Sequence, residues 1–382
     1  MNDIQQDRRK SITDRVCTLM VTHSCNLNCI YCFERFKSNR MMTFETAKKI
    51  LISEFHEYEK SYTTGKRLAI ELFGGEPLMN FDLIQMVYNW VEEISPKFEY
   101  IFQITTNGTL FSPHIKQWLV ERKDKIRIVL SVDGTETMQQ ENRGCDLGSL
   151  PMQFVKEVWP NSYFKLTISP ESLHNLAQGV IALYDAGYKI AFSLAEGQQW
   201  EENADRLYRQ ELTTICNYFL NNPDKPLEHP LNKIFTEYLD SRISTIVPEK
   251  KCGAGTTIGM YDVDGKLYPC HLFLPMVHGN EAVLDDVKHI DFTKKELLID
   301  PKCRLCQAVK VCTTCYGYNY IQRGAVEKRD MGMCRLRLVE AQVISAFQIE
   351  YFMRNRDTLN DYDLLSLKSA VKCYQHIINV DL

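Results

Sequence analysis

Ten of the 14 cysteines fall into two groups whose spacing is typical of metal binding. The first group is a C-x3-C-x2-C motif formed by Cys25, Cys29 and Cys32. Thiolates at such spacings converge on soft metal centres, so both groups are predicted to bind zinc or iron–sulfur clusters. The second group lies between residues 250 and 340 and consists of Cys252, Cys270, Cys303, Cys306, Cys312, Cys315 and Cys334.

The first group has three cysteines where a structural zinc site or a ferredoxin-type cluster would use four. The nearest further cysteine, Cys17, lies inside a predicted strand. Three thiolates satisfy three irons of a four-iron cluster and leave the fourth iron open to another ligand. The motif therefore favours a ligand-binding iron–sulfur cluster, with structural zinc as the alternative.

Buried strands alternate with amphipathic helices over the first two-thirds of the chain. Such alternation predicts a parallel sheet, because parallel strands need crossover helices. Six βα units predict an α/β fold, an open partial (β/α)6 barrel whose active face is the C-terminal end of the strands. The predicted strands are 16–22, 68–73, 100–106, 126–131, 164–169 and 190–194, and the predicted helices are 44–62, 81–94, 113–121, 172–186 and 201–220.

Polar groups end successive predicted strands at the rim where the first cysteines lie. The second strand ends in Gly74-Gly75-Glu76, where paired glycines allow close backbone approach and Glu76 offers a carboxylate. Asn107 ends the third strand and Ser131 the fourth, with Arg143 farther along the same loop. Ordinary tight turns would account for one or two such motifs, but less easily for all of them at one rim. We therefore predict a cofactor site there.

The pattern closely resembles the radical S-adenosylmethionine (SAM) enzymes. The resemblance covers about residues 14–220 and implies that the first three cysteines hold a [4Fe–4S] cluster whose open iron binds SAM. It also implies binding roles for the residues that match the family's motifs. These are Tyr31 beside the adenine, Gly74, Gly75 and Glu76 at the methionine amino group, Ser131 and Arg143 at the ribose and carboxylate, and the backbone of Ile190 at the adenine.

The second cysteine group resembles the SPASM extension of radical SAM enzymes, with a zinc ribbon as the alternative. The resemblance implies two auxiliary [4Fe–4S] clusters, so three clusters in all. Two features depart from the family: the last C-x2-C has one residue fewer than usual, and Ile246 stands where an eighth cysteine is expected. The nearer cluster would then have an open iron able to bind a substrate thiolate. The implied ligands are Cys252, Cys270 and Cys315 for the nearer cluster and Cys303, Cys306, Cys312 and Cys334 for the farther one.

Composition narrows the class of protein. The 382 residues carry a net charge of −4, which gives no general affinity for nucleic acid or anionic membrane. No apolar run approaches the ~20 residues of a membrane span, and the polar N-terminus lacks a signal peptide, so a cytoplasmic location is expected. We predict a barrel domain at 1–225, a linker and SPASM domain at 226–340, and a C-terminal helical segment at 341–382.

The resemblance implies an oxidoreductase that cleaves SAM to a 5′-deoxyadenosyl radical. We favour oxidative modification of a ribosomally made peptide, through a thioether or carbon–carbon cross-link. The expected partners are a peptide or protein substrate, an electron donor such as flavodoxin or ferredoxin, and a separate leader-binding protein, because about 15 residues precede the first predicted strand. Cys145, near Arg143, is a candidate hydrogen-atom donor.

Three other functions stay open. An anaerobic sulfatase-maturating enzyme would form formylglycine, but that subfamily has an aspartate base where this chain has His271. A small-molecule dehydrogenase is the second. A multi-cluster electron carrier is the third, and the Gly-Gly-Glu-Pro loop and the βα body argue against it, because a carrier needs no substrate cavity.

Overall fold

The computed structural model describes residues 12–235, 238–239 and 250–380. Its elements in chain order are β1 (Ile12–Thr22), α1 (Phe44–Ser61), β2 (Lys66–Gly74), α2 (Phe81–Ile94), β3 (Glu99–Thr106), α3 (Pro113–Val120), β4 (Ile126–Ser131), α4 (Glu136–Arg143), α5 (Met152–Val158), β5 (Phe164–Ile168), α6 (Leu176–Asp185), β6 (Ile190–Leu194), α7 (Ala204–Asn221), β7 (Ile258–Tyr261), β8 (Leu267–Tyr268), α8 (Pro275–His278), α9 (Val283–Val287), α10 (Tyr316–Arg323), α11 (Met331–Arg354) and α12 (Asp361–Ile377).

The chain divides into two compact units. The first unit contains Met1–Ser131, Gly148–Ser162 and Gly253–Thr293. The second unit contains Val132–Leu147, Tyr163–Cys252 and Lys294–Leu382. The domain limits expected from the sequence stay a prediction. Much of the predicted linker lies outside the described residues, and Ile246 lies wholly outside them.

A sheet ordered β4-β3-β2-β1-β7-β8 forms the centre of the first unit. Its strands β1 to β4 run parallel, as the alternation predicts. Leu19, Met20 and Val21 follow one another in β1 and are all fully buried, because helices or loops cover both faces of a parallel sheet. The carboxyl end of β1 is therefore a rigid start for the loop that carries the first cysteines.

Strand β7 adds to the sheet beside β1. Val16 pairs in parallel with Ile258, although more than two hundred residues separate them. Strand β8 then returns antiparallel to β7 through a turn in which Gly265 has a φ of 84°. An Asp264-Gly265 turn thus closes a β-hairpin. Its pairing with β1 places the segment that contains Cys270 in the same unit as the first cysteines.

The second unit contains the parallel pair β5 and β6 and most of the long helices. Glu340 on α11 accepts hydrogen bonds from Tyr208 on α7 (3.2 Å) and from Lys233 (3.2 Å). Gln342 on α11 donates to the carbonyl oxygen of Ile377 in α12 (2.8 Å). These bonds hold the predicted helical tail against the rest of the unit. None of the helices in the described part of the chain has the length and apolar character needed to cross a membrane.

All six predicted strands and all five predicted helices of the βα body are confirmed, with ends that move by a few residues. The sequence analysis missed two short helices after the fourth strand, α4 and α5. Helix α4 is almost entirely polar, so it has little apolar periodicity. Its limits come instead from Thr135, whose side chain caps the N-terminus, and from Gly144, which ends the helix with a φ of 67°.

Candidate cofactor site

The first cysteines lie in the loop that joins β1 to α1. The backbone N–H of Cys32 donates to the carbonyl oxygen of Cys29 (3.0 Å), which closes a turn inside the motif. Burial, and then the nearby Glu34, raises the pKa of Cys32 to about 11. Lys37 opposes this shift, and its ammonium group donates to the carbonyl oxygen of Leu27 (2.7 Å) within the same loop. Lys37 therefore both fixes the loop and supplies a cation beside its thiols.

The Gly-Gly-Glu loop after β2 lies directly against the cysteine loop. The N–H of Gly75 donates to Thr22 O (3.1 Å), and the N–H of Glu76 donates to Ser24 O (2.8 Å). A Cβ added at Gly75 would lie 2.9 Å from the Cβ of Cys25 and closer still to the carbonyl oxygen of Ser24. Any residue larger than glycine would push the two loops apart, which explains why this position is glycine.

Glu76 is a buried carboxyl group at the end of the parallel sheet, with 1% exposure. It accepts hydrogen bonds from Thr106 Oγ1 (2.7 Å), Asn107 N (2.8 Å) and Leu78 N (3.1 Å). Burial outweighs these bonds and raises its pKa to about 7. A ligand ammonium group at this position would favour the ionised form of Glu76, because an opposite charge offsets the desolvation.

Asn107 connects Glu76 to the cysteine loop. Its N–H bonds Glu76, and its side-chain amide donates to Asn26 Oδ1 (3.0 Å), one residue after Cys25. The structure thus brings together Glu76, Asn107, Gly75 and the first cysteines, as the sequence predicts. Tyr31 lies in the same loop and Ser131 ends β4 in the same unit.

A buried ion pair that the sequence did not indicate holds the start of the cysteine loop. His23 Nε2 lies 2.6 Å from Asp262 Oδ1, and both side chains are at most 2% exposed. His23 Nδ1 lies 3.3 Å from Ser38 Oγ, so the imidazole is held from both sides. Among the described residues, Asp262 Oδ2 has no hydrogen-bond partner. Because Asp262 directly follows β7, this pair fixes the loop to the added strand.

An aromatic stack joins the two cysteine regions within the first unit. The His271 ring lies between Phe33 and Phe73, with centroid separations of 4.8 Å and 5.6 Å. Phe33 follows Cys32, and His271 follows Cys270. Phe33, which follows Cys32, is therefore in ring contact with His271, which follows Cys270.

The second unit contains the remaining predicted binding residues of the barrel. Arg143 forms a two-point ion pair with Asp133, with Nε–Oδ2 at 2.9 Å and Nη2–Oδ1 at 3.2 Å. Gln139 donates to Cys145 Sγ (3.0 Å) and accepts from the N–H of Asp133 (2.8 Å). Asp133 therefore fixes the orientation of the Arg143 guanidinium group.

Ile190 is fully buried at the start of β6. Its side chain therefore belongs to the core of the second unit. The predicted contact to adenine uses its backbone. That contact, and the predicted contacts of Tyr31, Ser131 and Arg143 with SAM, stay predictions.

The four cysteines predicted to hold the farther auxiliary cluster are neighbours in the second unit. Burial raises the pKa of Cys334 to about 12, and the nearby Cys312, Cys303 and Cys306 add to the shift. Cys252 and Cys315 also lie close together, because Cys252 contributes to a pKa of about 12 for Cys315 after burial and Glu196. Cys270, the third predicted ligand of the nearer cluster, belongs to the first unit.

The thiol groups of the two cysteine sets are ligands of the type that iron–sulfur clusters use. Within residues 12–235, 238–239 and 250–380, no three His, Cys, Asp or Glu side chains are arranged as ligands around one metal ion. Fourteen free thiols, four of them mutually adjacent in the second unit, are the ligand type that iron–sulfur clusters use. The glycine cradle at Gly75 and the buried Glu76 add a ligand pocket beside the first three.

Comparison with known proteins decides the family. A model of the Radical SAM superfamily matches residues 19–144. The radical SAM cyclopropyl synthase TigE of Paramaledivibacter caminithermalis is 31% identical over 364 residues, which cover 85% of this chain and 74% of TigE. The chain belongs to the radical SAM superfamily. A cysteine-type anaerobic sulfatase-maturating enzyme of Clostridium novyi is 27% identical over 344 residues, covering 76% of this chain and 84% of that one.

A shorter match has higher identity. An uncharacterized protein of Methanocaldococcus jannaschii is 34% identical over 118 residues, and the aligned part spans 31% of this chain and 38% of that protein. The matched stretch is therefore about a third of either chain. A full-length activity does not follow from this relative.

Two solved structures share the fold. Native anSMEcpe with bound AdoMet and Cp18Cys peptide has a TM-score of 0.65 at 14% identity, covering 90% of this chain and 99% of that one. Streptococcus suis SuiB bound to precursor peptide SuiA has a TM-score of 0.58 at 18% identity, covering 86% and 77%. These likenesses confirm the predicted α/β fold class with a cysteine-rich C-terminal part. The chain is therefore a radical SAM enzyme, and its family implies an iron–sulfur cluster and SAM as cofactors.

Proposed function

We propose that this enzyme oxidatively closes a new bond, carbon–carbon or thioether, within a ribosomally made peptide. The alignment with TigE, a named cyclopropyl synthase, supports carbon–carbon bond formation. Two structural neighbours carry peptides, which supports a peptide substrate. The observation that favours this function over sulfatase maturation is the position of His271.

His271 occupies the position at which sulfatase-maturating enzymes have an aspartate base, by the resemblance described above. Its ring is packed between Phe33 and Phe73 at centroid separations of 4.8 Å and 5.6 Å. Aromatic packing of this kind stabilises a planar ring, whereas a carboxylate would lose the contact. This packing supports a role for an imidazole at this position over the carboxylate that formylglycine formation would use.

We assign a separate role in cofactor binding to each group of residues. Cys25, Cys29 and Cys32 would hold the first cluster, and Glu76 would bind the methionine ammonium group. When bound, SAM supplies a 5′-deoxyadenosyl radical that takes a hydrogen atom from the substrate. The tight contact of Gly75 with the cysteine loop positions Glu76, and the burial of Glu76 keeps water from competing for its oxygens.

The second cysteine group would hold two auxiliary clusters, with the ligand sets expected from the sequence. Bond closure removes two hydrogen atoms from the peptide, one as a hydrogen atom and one as a proton and an electron. The electron needs an acceptor, and the auxiliary clusters are the acceptors that we propose. We also propose a low-potential flavoprotein or ferredoxin as donor, a separate leader-binding protein, and a reducing cytoplasmic setting that suits 14 free cysteines.

The test uses a cysteine-containing precursor peptide encoded beside the gene. Reduced enzyme, SAM and peptide should give 5′-deoxyadenosine and a peptide lighter by two hydrogen atoms. Alkylation of the product then separates the two bonds, because a thioether removes a free thiol and a carbon–carbon bond leaves it. Absence of 5′-deoxyadenosine would instead favour an electron carrier.

Sulfatase maturation is tested in parallel with a sulfatase-type Cys peptide. We expect no formylglycine. Formylglycine at a rate comparable with 5′-deoxyadenosine release would overturn the proposal. His271→Phe keeps an aromatic ring in the stack and should retain product formation, whereas His271→Ala should lose it. His289→Ala, a change at an exposed histidine, is the matched control.

A further inference from the structure

Arg329, in the second unit, lies against a thiol of the farther cysteine set. Arg329 Nη2 donates to Cys312 Sγ (3.1 Å) and to the carbonyl oxygen of the same residue (2.9 Å). Arg329 is partly buried, and its charge also interacts with the side chains of Cys303 and Cys334. The guanidinium group therefore lies within electrostatic reach of three of the four thiols.

The backbone around Arg329 is fixed to the cysteine segment. The N–H of Arg329 donates to Asp300 Oδ2 (2.9 Å), while Asp300 Oδ1 accepts from the N–H of Lys302 (2.9 Å), which precedes Cys303. Asp300 thus binds both segments with one carboxylate. Because the backbone is held on both sides, the guanidinium has little freedom to leave Cys312.

The other cations near this set are engaged elsewhere or lie in solvent. Arg323 pairs with Asp330 (Nη2–Oδ2, 3.0 Å), and Arg337 pairs with Glu196 (Nη2–Oε1, 2.5 Å). Arg304 lies between Cys303 and Cys306 in sequence but is exposed, so water screens its charge. Arg329 is the cation that the structure bonds directly to a thiol of the set.

We propose that Arg329 raises the reduction potential of the auxiliary cluster held by Cys303, Cys306, Cys312 and Cys334. This inference rests on the auxiliary clusters of the proposed function. A four-thiolate cluster becomes more negative when it accepts an electron, so a nearby buried cation stabilises the reduced state more than the oxidised state. An N–H donor to a ligand sulfur acts in the same direction.

The consequence concerns the electron released by oxidation of the peptide. A higher potential makes the farther cluster a better acceptor of that single electron, while the accompanying proton goes to water. Arg329 is a positioning and tuning residue, since it acts through Cys312.

The test is a redox titration followed by electron paramagnetic resonance. The protein carries Cys25→Ala, Cys29→Ala and Cys32→Ala, so that only auxiliary clusters remain. The signal that disappears on adding Cys306→Ala identifies the farther cluster. In this background Arg329→Met should shift that signal to lower potential. Arg329→Lys, which keeps the charge without the forked contact, should give a smaller shift. Arg304→Met removes the same charge from an exposed position and should shift the signal least.

Iron content separates failure of this inference from failure of the proposed function. Unchanged iron and unchanged potential in Arg329→Met would overturn the role of Arg329 and leave the auxiliary clusters standing. Absence of any signal assignable to Cys306 in the parent protein would overturn the auxiliary cluster itself. If Arg329→Met loses iron, the Arg329→Lys variant is used instead. A lowered reduction potential at the parent iron content supports the tuning role, and the parent reduction potential at the parent iron content contradicts it.

Discussion

The two cysteine regions differ in how the chain fixes them. The first loop begins at a strand buried on both faces, and backbone hydrogen bonds from Gly75 and Glu76 bind it to the next strand end. In the farther set, Cys303, Cys306 and Cys312 lie among turns, and Cys334 lies in the first turn of the long helix α11. Side-chain bonds from Arg329 and Asp300 fix this set. A loop fixed by its sheet tolerates little change, whereas a set fixed by side chains can be tuned by single substitutions.

The regions also differ in the charge that surrounds their thiols. The first loop has two buried carboxyl groups nearby, Glu34 and Glu76, and burial raises their pKa values to about 8 and about 7. The farther set has the guanidinium of Arg329 bonded to Cys312. Raised pKa values leave both carboxyl groups at least partly protonated near neutral pH, and Lys37 adds a cation beside the first thiols. The second region is distinguished by the direct guanidinium contact at Cys312, because a cation there favours an added electron.

The largest expected effect separates the two regions by their chemistry. Cys29→Ala should abolish cleavage of SAM, because the first cluster loses one of three protein ligands. Cys306→Ala should keep SAM cleavage and lose the modified peptide. Both products are measured by mass spectrometry on the same reaction.

Cys216→Ala is the control for loss of a thiol, since Cys216 is buried in α7 and belongs to neither predicted ligand set. It should retain both products. Equal loss of cleavage in Cys29→Ala and Cys306→Ala, with the first cluster fully loaded in the latter, would remove the distinction between the regions.

A smaller effect is expected from Gly75→Ala, which tests how tightly the sheet fixes the first loop. The added Cβ would lie 2.9 Å from Cys25 Cβ, so the loop must shift at a cost of about 2 kcal/mol. Iron bound by a variant that lacks the second group's cysteines should fall. Gly332→Ala is the control, because its added Cβ would meet only Asp330 Oδ1, at 3.2 Å, and it should lower the iron content far less. Normal iron in Gly75→Ala would show that the loop adapts.

The smallest effect concerns the ion pair between His23 and Asp262, which links the first loop to β7. Asp262→Asn keeps the shape and removes the charge, so the free energy of unfolding should fall by about 1 kcal/mol. Thermal unfolding of the reconstituted protein measures the change. Glu57→Gln, at an exposed ion pair with Lys60, should leave the midpoint unchanged. An unaltered midpoint in Asp262→Asn would mean that the pair contributes no net charge stabilisation.

The sequence predicted the first region well for a physical reason. Strands buried on both faces have continuous apolar runs, and the ends of parallel strands meet at one edge, so Cys25, Glu76 and Asn107 were expected to be neighbours. The pairing of β7 with β1 was not predictable, because a four-residue strand has a weak pattern and its partner is far along the chain. The contacts of His271 with Phe33 and Phe73 depend on that pairing and were missed with it.

The second region was predictable in its ligands and not in its surroundings. The resemblance to the SPASM extension implied the grouping of Cys303, Cys306, Cys312 and Cys334, and the structure places these thiols together. Arg329 stands in a Lys-Arg-Asp run that is typical of an exposed turn. Its contact with Cys312 depends on Asp300, and no local pattern indicates a bond between such distant residues.

The most direct test of this account is the iron and acid-labile sulfide content after anaerobic reconstitution. Three four-iron clusters predict about 12 irons per chain, and removal of Cys25, Cys29 and Cys32 should lower that to about 8. Zinc should be negligible in both proteins. About four irons per chain with zinc in the second region, falling to no iron in the triple variant, would contradict the assignment of auxiliary clusters and with it the contrast between the two regions.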